Sequence, residues 1–138
     1  MEKVIVNSNN LHYLENFLAN AGKTLDSFRY YQKRAMTITQ NHLLTILLLD
    51  KNEPIVYGHL DPEDDKVWLG LAVTEKRQGQ GFGKKMMQEL MNFAEDHRLE
   101  KIHLSVDNDN APAIHLYKKF GFQLVKILDK HSLYVRNR

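Results

Sequence analysis

The sequence predicts a single α/β (α+β) domain, with a mixed, twisted sheet around a central parallel pair and the element order β-α-α-β-β-β-α-β-α-β-β. Length and composition point to one globular unit, since the 138 residues are 43% hydrophobic and 26% charged. Short apolar runs separated by polar turns fill the middle of the chain. They predict antiparallel strands. A strand, a glycine-rich turn, a helix and another strand follow, which predicts two parallel strands joined by a right-handed crossover.

The first third of the chain predicts one short strand, two helices and a buried strand. Residues 4–6 are apolar, and the asparagines and serine of 7–10 supply N-caps for a helix that Gly22 closes. A second helix is predicted from about residue 25 to residue 34. The apolar run 42–50 is too short for a globular helix, so it is interpreted as a buried strand.

Two further strands extend this buried strand into a meander. Residues 51–54 form a polar turn that leads into a strand over 55–61. Residues 62–65 form a second turn, which leads into the strand that ends at Val73. Strands joined by such short turns are antiparallel neighbours.

The last part of the chain alternates helices and strands. Residues 82–97 form an amphipathic helix whose apolar positions recur at helical spacing. A strand over 101–106, a helix over 110–119 and a hairpin of 122–128 with 132–136 follow. We expect the final strand at an edge of the sheet, where it would invite a second copy to pair as a homodimer.

The glycine-rich run 77–83, Arg-Gln-Gly-Gln-Gly-Phe-Gly, lies between a strand and a helix. Alternate glycines let the backbone curl, so that successive N–H groups and the first turn of the helix point into one concavity. Such a cradle suits a pyrophosphate. The alternative is that the glycines make only a tight connection.

Composition excludes several classes of function. The net charge of +2 mixes 19 basic with 17 acidic residues, which argues against a nucleic-acid partner. Without cysteine there is no disulfide, thiolate metal site or cysteine nucleophile. No apolar stretch approaches the roughly 18 residues that span a bilayer, and no leader pattern is seen. We expect a cytoplasmic protein that makes no contact with membranes.

Two sequence blocks carry a family resemblance. Gln78-Gly79-Gln80-Gly81-Phe82-Gly83 matches the pattern Q/R-x-x-G-x-G/A, and residues 110–117 with Gly121-Phe122 match N-x-x-A-x-x-L-Y followed by G-F. Over roughly residues 42–128 the chain resembles the GCN5-related N-acetyltransferase (GNAT) superfamily. A Walker A loop would need Gly at position 78, and the dinucleotide pattern G-x-G-x-x-G does not fit glycines at 79, 81 and 83.

The resemblance implies that residues 1–138 are one acyl-CoA N-acyltransferase domain. The co-substrate is acetyl-CoA or another short acyl-CoA, with no metal, and a primary amine attacks the thioester directly. Backbone groups of Leu71 and Val73 would hold the pantetheine arm where the two parallel strands splay, and the N–H near Leu71 would stabilise the oxyanion. The implied cofactor-binding residues are Leu71, Val73, Gln78, Gly79, Gln80, Gly81, Phe82, Gly83, Lys84 and Asn110.

Two residues are predicted to transfer protons. Tyr117 matches the family's tyrosine that protonates the leaving sulfur, and a phenol stays protonated at neutral pH. The alternative is that Tyr117 is a packing residue whose hydroxyl reaches solvent. His59 is the first choice of base, since imidazole titrates near neutrality. The alternatives are a structural role for His59, with His103, Asp107 or a water chain as the base.

The acceptor site is predicted from a segment rich in rings and guanidinium groups: Phe28, Arg29, Tyr30, Tyr31 and Arg34. Arginine binds phosphate in a bidentate manner and rings suit a base or sugar. This segment weakly resembles superfamily members that acylate amino sugars carried on nucleotide diphosphates. The alternatives are that the rings belong to the core and the arginines to the surface, that the acceptor is a protein, peptide or other small-molecule amine, or that the chain is a non-catalytic acyl-CoA-binding module.

Overall fold

The protein, described over all residues 1–138 in a computed structural model, is built on one seven-stranded mixed sheet. The strands lie in the order β1-β2-β3-β4-β5-β7-β6. Their bounds are β1 Glu2–Ile5, β2 Leu44–Asp50, β3 Glu53–Glu63, β4 Lys66–Val73, β5 Lys101–Asp107, β6 Gln123–Ile127 and β7 His131–Asn137. The α-helices are α1 Leu11–Asn20, α2 Phe82–Asp96 and α3 Ala111–Lys119. The predicted fold class is confirmed.

The centre of the sheet is a parallel pair that separates early. Strands β2, β3 and β4 form the predicted antiparallel meander. Strand β4 runs parallel to β5, but the two are paired at one position only, Trp68 opposite His103. On its other side, β5 pairs with β7 along its full length. Toward their carboxyl ends, β4 and β5 therefore leave an unpaired gap between them.

Helices cover both faces of the sheet. On one face, Leu14 and Phe17 of α1 belong to a buried cluster with Leu47 and Tyr57 of the sheet. On the other face, α2 and α3 contribute to a larger cluster that includes Met86, Leu90 and Tyr117. Because side chains alternate along a strand, neighbouring residues of β4 face different helical layers. None of the helices is long and apolar enough to cross a bilayer.

The predicted α-helix over about 25–34 is not formed. This part of the chain consists of short 3-10 turns at Gly22–Asp26, Tyr30–Gln32 and Met36–Asn41. The reason is tertiary: the ring of Phe28 packs 5.1 Å from that of Tyr57, and the hydroxyl of Tyr31 bonds the Tyr57 hydroxyl. Aromatic residues have only modest helix propensity, so packing against β3 decides the backbone here.

The edge strand predicted over 132–136 is also wrong. Strand β7 lies between β5 and β6, and its residues Ser132 and Tyr134 are buried. The hairpin places β6 outside, because the chain leaving α3 enters the sheet at its rim and returns inward. Strand β6 is the exposed edge, and Val125 and Ile127 are 63% and 68% exposed.

Candidate active site

The glycine-rich loop forms an open cradle of main-chain donors. It follows β4 and leads directly into α2. Gly79 and Gly81 have φ of +75° and +85°, and nothing lies within 4 Å of the position a Cβ would take at either glycine. None of the N–H groups from Gly79 to Lys84 donates a hydrogen bond within the protein. These donors, together with the positive end of α2, are suited to an anion.

Gly83 has a different role from the other two glycines. Its φ is not positive, and a Cβ there would lie 3.2 Å from Cδ2 of Leu116. The absence of a side chain lets the first turn of α2 approach α3 closely. The prediction that three glycines curl the backbone is therefore correct for Gly79 and Gly81 and wrong for Gly83.

The side chains of the loop are mostly bound to the protein itself. Nε2 of Gln78 donates to Oγ1 of Thr24 at 2.8 Å and to the carbonyl of Val73 at 3.3 Å. Oε1 of Gln80 accepts from Nε of Arg77 at 3.3 Å. The glutamines thus hold the loop in shape, and its main chain remains open to a ligand. Lys84 is exposed on the first turn of α2 and adds positive charge there.

The edge of β4 that faces the gap carries the main-chain groups of Leu71 and Val73. The N–H of Thr74 donates to the carbonyl of Ile55 at 2.9 Å, in register with the β3–β4 ladder. Hydrogen-bonded pairs alternate along an antiparallel ladder, so Ala72 also bonds to β3 while Leu71 and Val73 point the other way. Both lie beyond Trp68, the last β4 residue paired with β5.

Tyr117 and Asn110 lie on α3. Tyr117 is 7% exposed, and its ring lies 6.0 Å from that of Phe122. No protein group binds its hydroxyl, yet no buried polar atom lacks a partner, so the hydroxyl reaches accessible space. Burial raises the pKa of Tyr117 well above 10, which keeps the phenol protonated. Asn110 caps α3 by accepting from the N–H of Ala113 at 3.3 Å.

His59 is buried on the face of β3 that α1 covers. It is 2% exposed, and its Nδ1 lies 2.6 Å from the hydroxyl of Tyr57. Its ring lies against Gly70 of β4, where a Cβ would overlap Cε1 and Nε2. Burial, followed by the charges of His42 and Arg34, lowers the pKa of His59 well below 6.5. The imidazole is therefore neutral near pH 7, as a proton acceptor must be.

Both alternative bases, Asp107 and His103, lie on β5. Asp107 accepts two hydrogen bonds from the guanidinium of Arg29, at 2.8 and 3.1 Å, so its carboxylate is already paired. The ring of His103 lies 5.3 Å from that of Trp68. Burial, followed by the charges of Lys66 and Lys101, lowers the pKa of His103.

The residues predicted to bind the acceptor are largely engaged with one another. Tyr30 donates to Oδ2 of Asp61 at 2.6 Å. Arg34 lies 4.2 Å over the ring of Tyr30 and pairs with Glu63 at 3.3 Å. Arg29 forms a salt bridge with Asp107, so both arginines of the predicted acceptor set already have carboxylate partners.

His42 was not predicted from the sequence and belongs to the same network. Its Nε2 lies 2.7 Å from the hydroxyl of Tyr30, and its Nδ1 lies 2.7 Å from Oγ1 of Thr45. Burial lowers the pKa of His42 to about 4. The alternation of Tyr57, His59 and Asp61 along β3 is the sequence signal for a polar cluster on this face, but nothing local connects His42 to it.

An open pocket of about 580 Å³ lies at the carboxyl end of β5. Its lining is entirely polar: Arg29, Asp107, Asn108, Asp109 and Lys130. The segment before β2, the end of β5 and the β6–β7 turn meet here. No group of three or more metal-binding side chains occurs in the protein.

The splayed parallel pair and the glycine cradle thus lie at the same end of β4. The acetyltransferase (GNAT) family model matches residues 10–122, so the chain belongs to this family. A structural neighbour is the PaiA N-acetyltransferase of Thermoplasma acidophilum in complex with coenzyme A. The two share 15% identity over the full length of both chains, with a TM-score of 0.77. This likeness shows the fold alone.

Curated relatives match about half of the chain. The spermine/spermidine N(1)-acetyltransferase of Bacillus subtilis (strain 168) is 41% identical over 71 residues, which are 50% of this chain and 47% of the relative. An L-amino acid N-acetyltransferase of Escherichia coli (strain K12) is 34% identical over 66 residues, 47% of this chain and 41% of the relative. The matched segment thus spans about half the length of these relatives or less.

Proposed function

We propose that the protein is an N-acetyltransferase that moves an acetyl or short acyl group from coenzyme A to a primary amine. The observation that carries this proposal is the row of unpaired N–H donors from Gly79 to Lys84, which lies at the end of a strand that has separated from its parallel neighbour. The cradle suits the pyrophosphate of coenzyme A. The gap between β4 and β5 suits its pantetheine arm.

Each candidate residue has a defined role in this reaction. The main chain of Leu71 and Val73 binds the pantetheine amides, and the Leu71 N–H stabilises the oxyanion of the tetrahedral intermediate. The neutral amine attacks the thioester carbonyl and gives up its proton to Nε2 of His59. The C–S bond then breaks, and Tyr117 donates its proton to the departing thiolate. Asn110 caps the first turn of α3, the helix that carries Tyr117.

The acceptor is proposed to be a small-molecule amine. The relatives named above act on polyamines and on amino acids, so a polyamine is the first candidate. The sequence favoured an amino sugar on a nucleotide diphosphate. Arg29 and Arg34 are paired with carboxylates, however, and a phosphate would have to displace these carboxylates.

A thiol-release assay tests the proposal. Purified protein is given acetyl-CoA with spermidine, with amino acids, with a peptide or with a nucleotide-linked amino sugar, and free coenzyme A is measured. We expect release with spermidine, and a preference for the nucleotide-linked sugar would restore the sequence prediction. Binding of acetyl-CoA in calorimetry without release for any amine would indicate a binding module instead. Absence of binding by folded protein would contradict the whole proposal.

A further inference from the structure

The His59 ring has one occupied nitrogen and one open nitrogen. Nδ1 is bonded to the Tyr57 hydroxyl at 2.6 Å, while Nε2 has no partner in the protein. Since no enclosed side-chain polar atom lacks a hydrogen bond, Nε2 reaches space that solvent can enter. This is an unusual property for a residue that is only 2% exposed.

Gly70 determines where this open nitrogen lies. His59 is opposite Gly70 in the β3–β4 ladder, and a Cβ on Gly70 would overlap Cε1 and Nε2 of the ring. The imidazole therefore rests on the main chain of β4. Gly70 lies just past Trp68, the last residue paired with β5. The Nε2 end of the ring thus lies over β4, two residues past the position where β4 is paired with β5.

The occupied nitrogen leads in the opposite direction, toward the surface. The Tyr57 side chain is fully buried, and its hydroxyl lies 2.6 Å from the hydroxyl of Tyr31. Tyr31 is only half-buried. Two short hydrogen bonds therefore connect the buried imidazole to a side chain that reaches the surface.

No negative charge is placed to hold a proton on His59. Asp61, two residues along β3, accepts from Tyr30 instead. The other neighbouring rings are those of His42, at 4.7 Å, and Tyr30, at 4.4 Å, and Arg34 lies over Tyr30. Burial and these neighbours all disfavour an imidazolium. A proton taken up at Nε2 is therefore best passed on.

We propose that Tyr57 and Tyr31 form a proton path that carries the amine proton from His59 to solvent. This inference rests on the acetyltransferase reaction proposed above. The amine proton bonds to Nε2 as the Nδ1 proton passes to the Tyr57 oxygen, the Tyr57 proton passes to the Tyr31 oxygen, and the Tyr31 proton passes to water. One proton enters and one leaves, so no residue keeps a charge, but His59 is left with its proton on Nε2. After the product leaves, Nε2 releases this proton to solvent as Nδ1 regains one from Tyr57, which restores the resting tautomer. Tyr57 and Tyr31 are positioning residues that act through His59.

The first test does not depend on activity. Nitrogen-15 NMR of the ring of His59 reports which nitrogen carries the proton in the resting protein. The path requires protonated Nδ1 and bare Nε2, and we expect that tautomer in the wild type, with a shifted Nδ1 resonance in Tyr57→Phe. A proton on Nε2 would overturn the path, whether or not the protein acetylates any amine.

The second test is kinetic and uses variants that keep the rings. Tyr57→Phe and Tyr31→Phe are each expected to lower kcat about tenfold, which is less than the loss of a direct acid–base group, with unchanged KM for acetyl-CoA. Tyr134→Phe removes a hydroxyl of β7 that takes no part in the path and is expected to leave kcat unchanged. In the background of His59→Gln, the Tyr57 change should have no further effect, because both act on one proton.

The outcomes of these tests separate the path from the reaction. The path would be overturned if Tyr31→Phe and Tyr57→Phe kept the kcat of the wild type. It would also be overturned if the loss of kcat in Tyr57→Phe added to the loss in His59→Gln. Either result would leave the acetyltransferase proposal intact. A wild type without activity would contradict the proposed reaction, while the NMR result still decides the arrangement of protons at His59. Tyr31→Phe removes only the hydroxyl of a half-buried ring, so folding does not limit the test.

Discussion

Tyr117 combines a packed ring with a hydroxyl that no protein group binds. The ring is held in the core beside Phe122, so the position of the hydroxyl is defined by packing. Because burial raises its pKa well above 10, the group is a proton donor over the whole physiological range. This is the state that a leaving thiolate requires.

We predict that Tyr117→Phe lowers kcat about 10²-fold and leaves the dissociation constant for acetyl-CoA nearly unchanged. The change keeps the ring and removes only the proton donor. Thiol release measures kcat, and calorimetry measures binding. An unchanged kcat would show that Tyr117 is only a packing residue.

The buried histidines predict a pH-dependent stability. His42 has a pKa of about 4 in the folded protein and 6.5 when unfolded, so between these values the unfolded chain binds more protons. The free energy of unfolding should therefore fall as the pH drops from about 6.5 to about 4 and be level above that range. His59 acts in the same direction.

Urea midpoints at about pH 7.5 and about pH 5 measure this effect. We expect the difference between the two midpoints to shrink in His42→Gln, because glutamine keeps a donor and an acceptor but does not titrate. The control His12→Gln changes an exposed residue of α1 and should keep the full difference. Equal pH dependence in all three proteins would refute the explanation.

At the scale of the element, the loop before α2 depends on two left-handed glycines. A side chain at Gly81 meets no atoms, so Gly81→Ala tests backbone conformation alone. Alanine in this conformation costs about 1–2 kcal/mol, and the loop can relieve the strain by turning its N–H groups out of the cradle.

We predict that Gly81→Ala weakens acetyl-CoA binding at least about tenfold, or about 1.4 kcal/mol. Gly121 is the matched control, since its φ is +89° and its nearest potential Cβ contact is at 3.8 Å. Gly121→Ala should lose similar thermal stability and bind acetyl-CoA normally. Equal binding by both variants would show that the cradle does not hold the cofactor.

At the scale of the whole molecule, the two edges of the sheet differ. Strand β1 is short and its Lys3 pairs with Glu89 of α2, whereas β6 exposes Leu124, Val125 and Ile127. An edge strand with exposed apolar side chains invites pairing with another chain. The homodimer expected from the sequence therefore stays a prediction, now assigned to β6 instead of β7.

We predict concentration-dependent association of the wild type that Val125→Lys reduces, measured by sedimentation velocity. The charge should prevent edge-to-edge contact without affecting the core, so the thermal midpoint should be unchanged. Ile5→Lys, which changes a residue 47% exposed at the β1 edge, is the control and should associate like the wild type. A wild type that stays monomeric at every concentration would contradict the assignment.

Most of the fold could be predicted because its signals are local. The meander, the amphipathic α2 and the parallel crossover each follow from hydrophobic periodicity and turn residues that are neighbours in sequence. The glycine loop is equally local, and its unpaired N–H groups lie where the pattern predicted them. The engaged arginines and His42 could not be predicted, because their partners are distant in sequence: Arg29 pairs with Asp107 and His42 bonds Tyr30.

The amino-acid sequence by itself determined the family, the strand order of the meander and the position of the glycine-rich loop, because periodicity and glycine spacing act over a few residues. Only the tertiary structure decided that residues 25–34 do not form an α-helix, that β6 is the edge, and that His59 rests on Gly70 with one nitrogen open. These features arise from packing between segments far apart in the chain. Side-chain contacts of that kind outweigh local propensity.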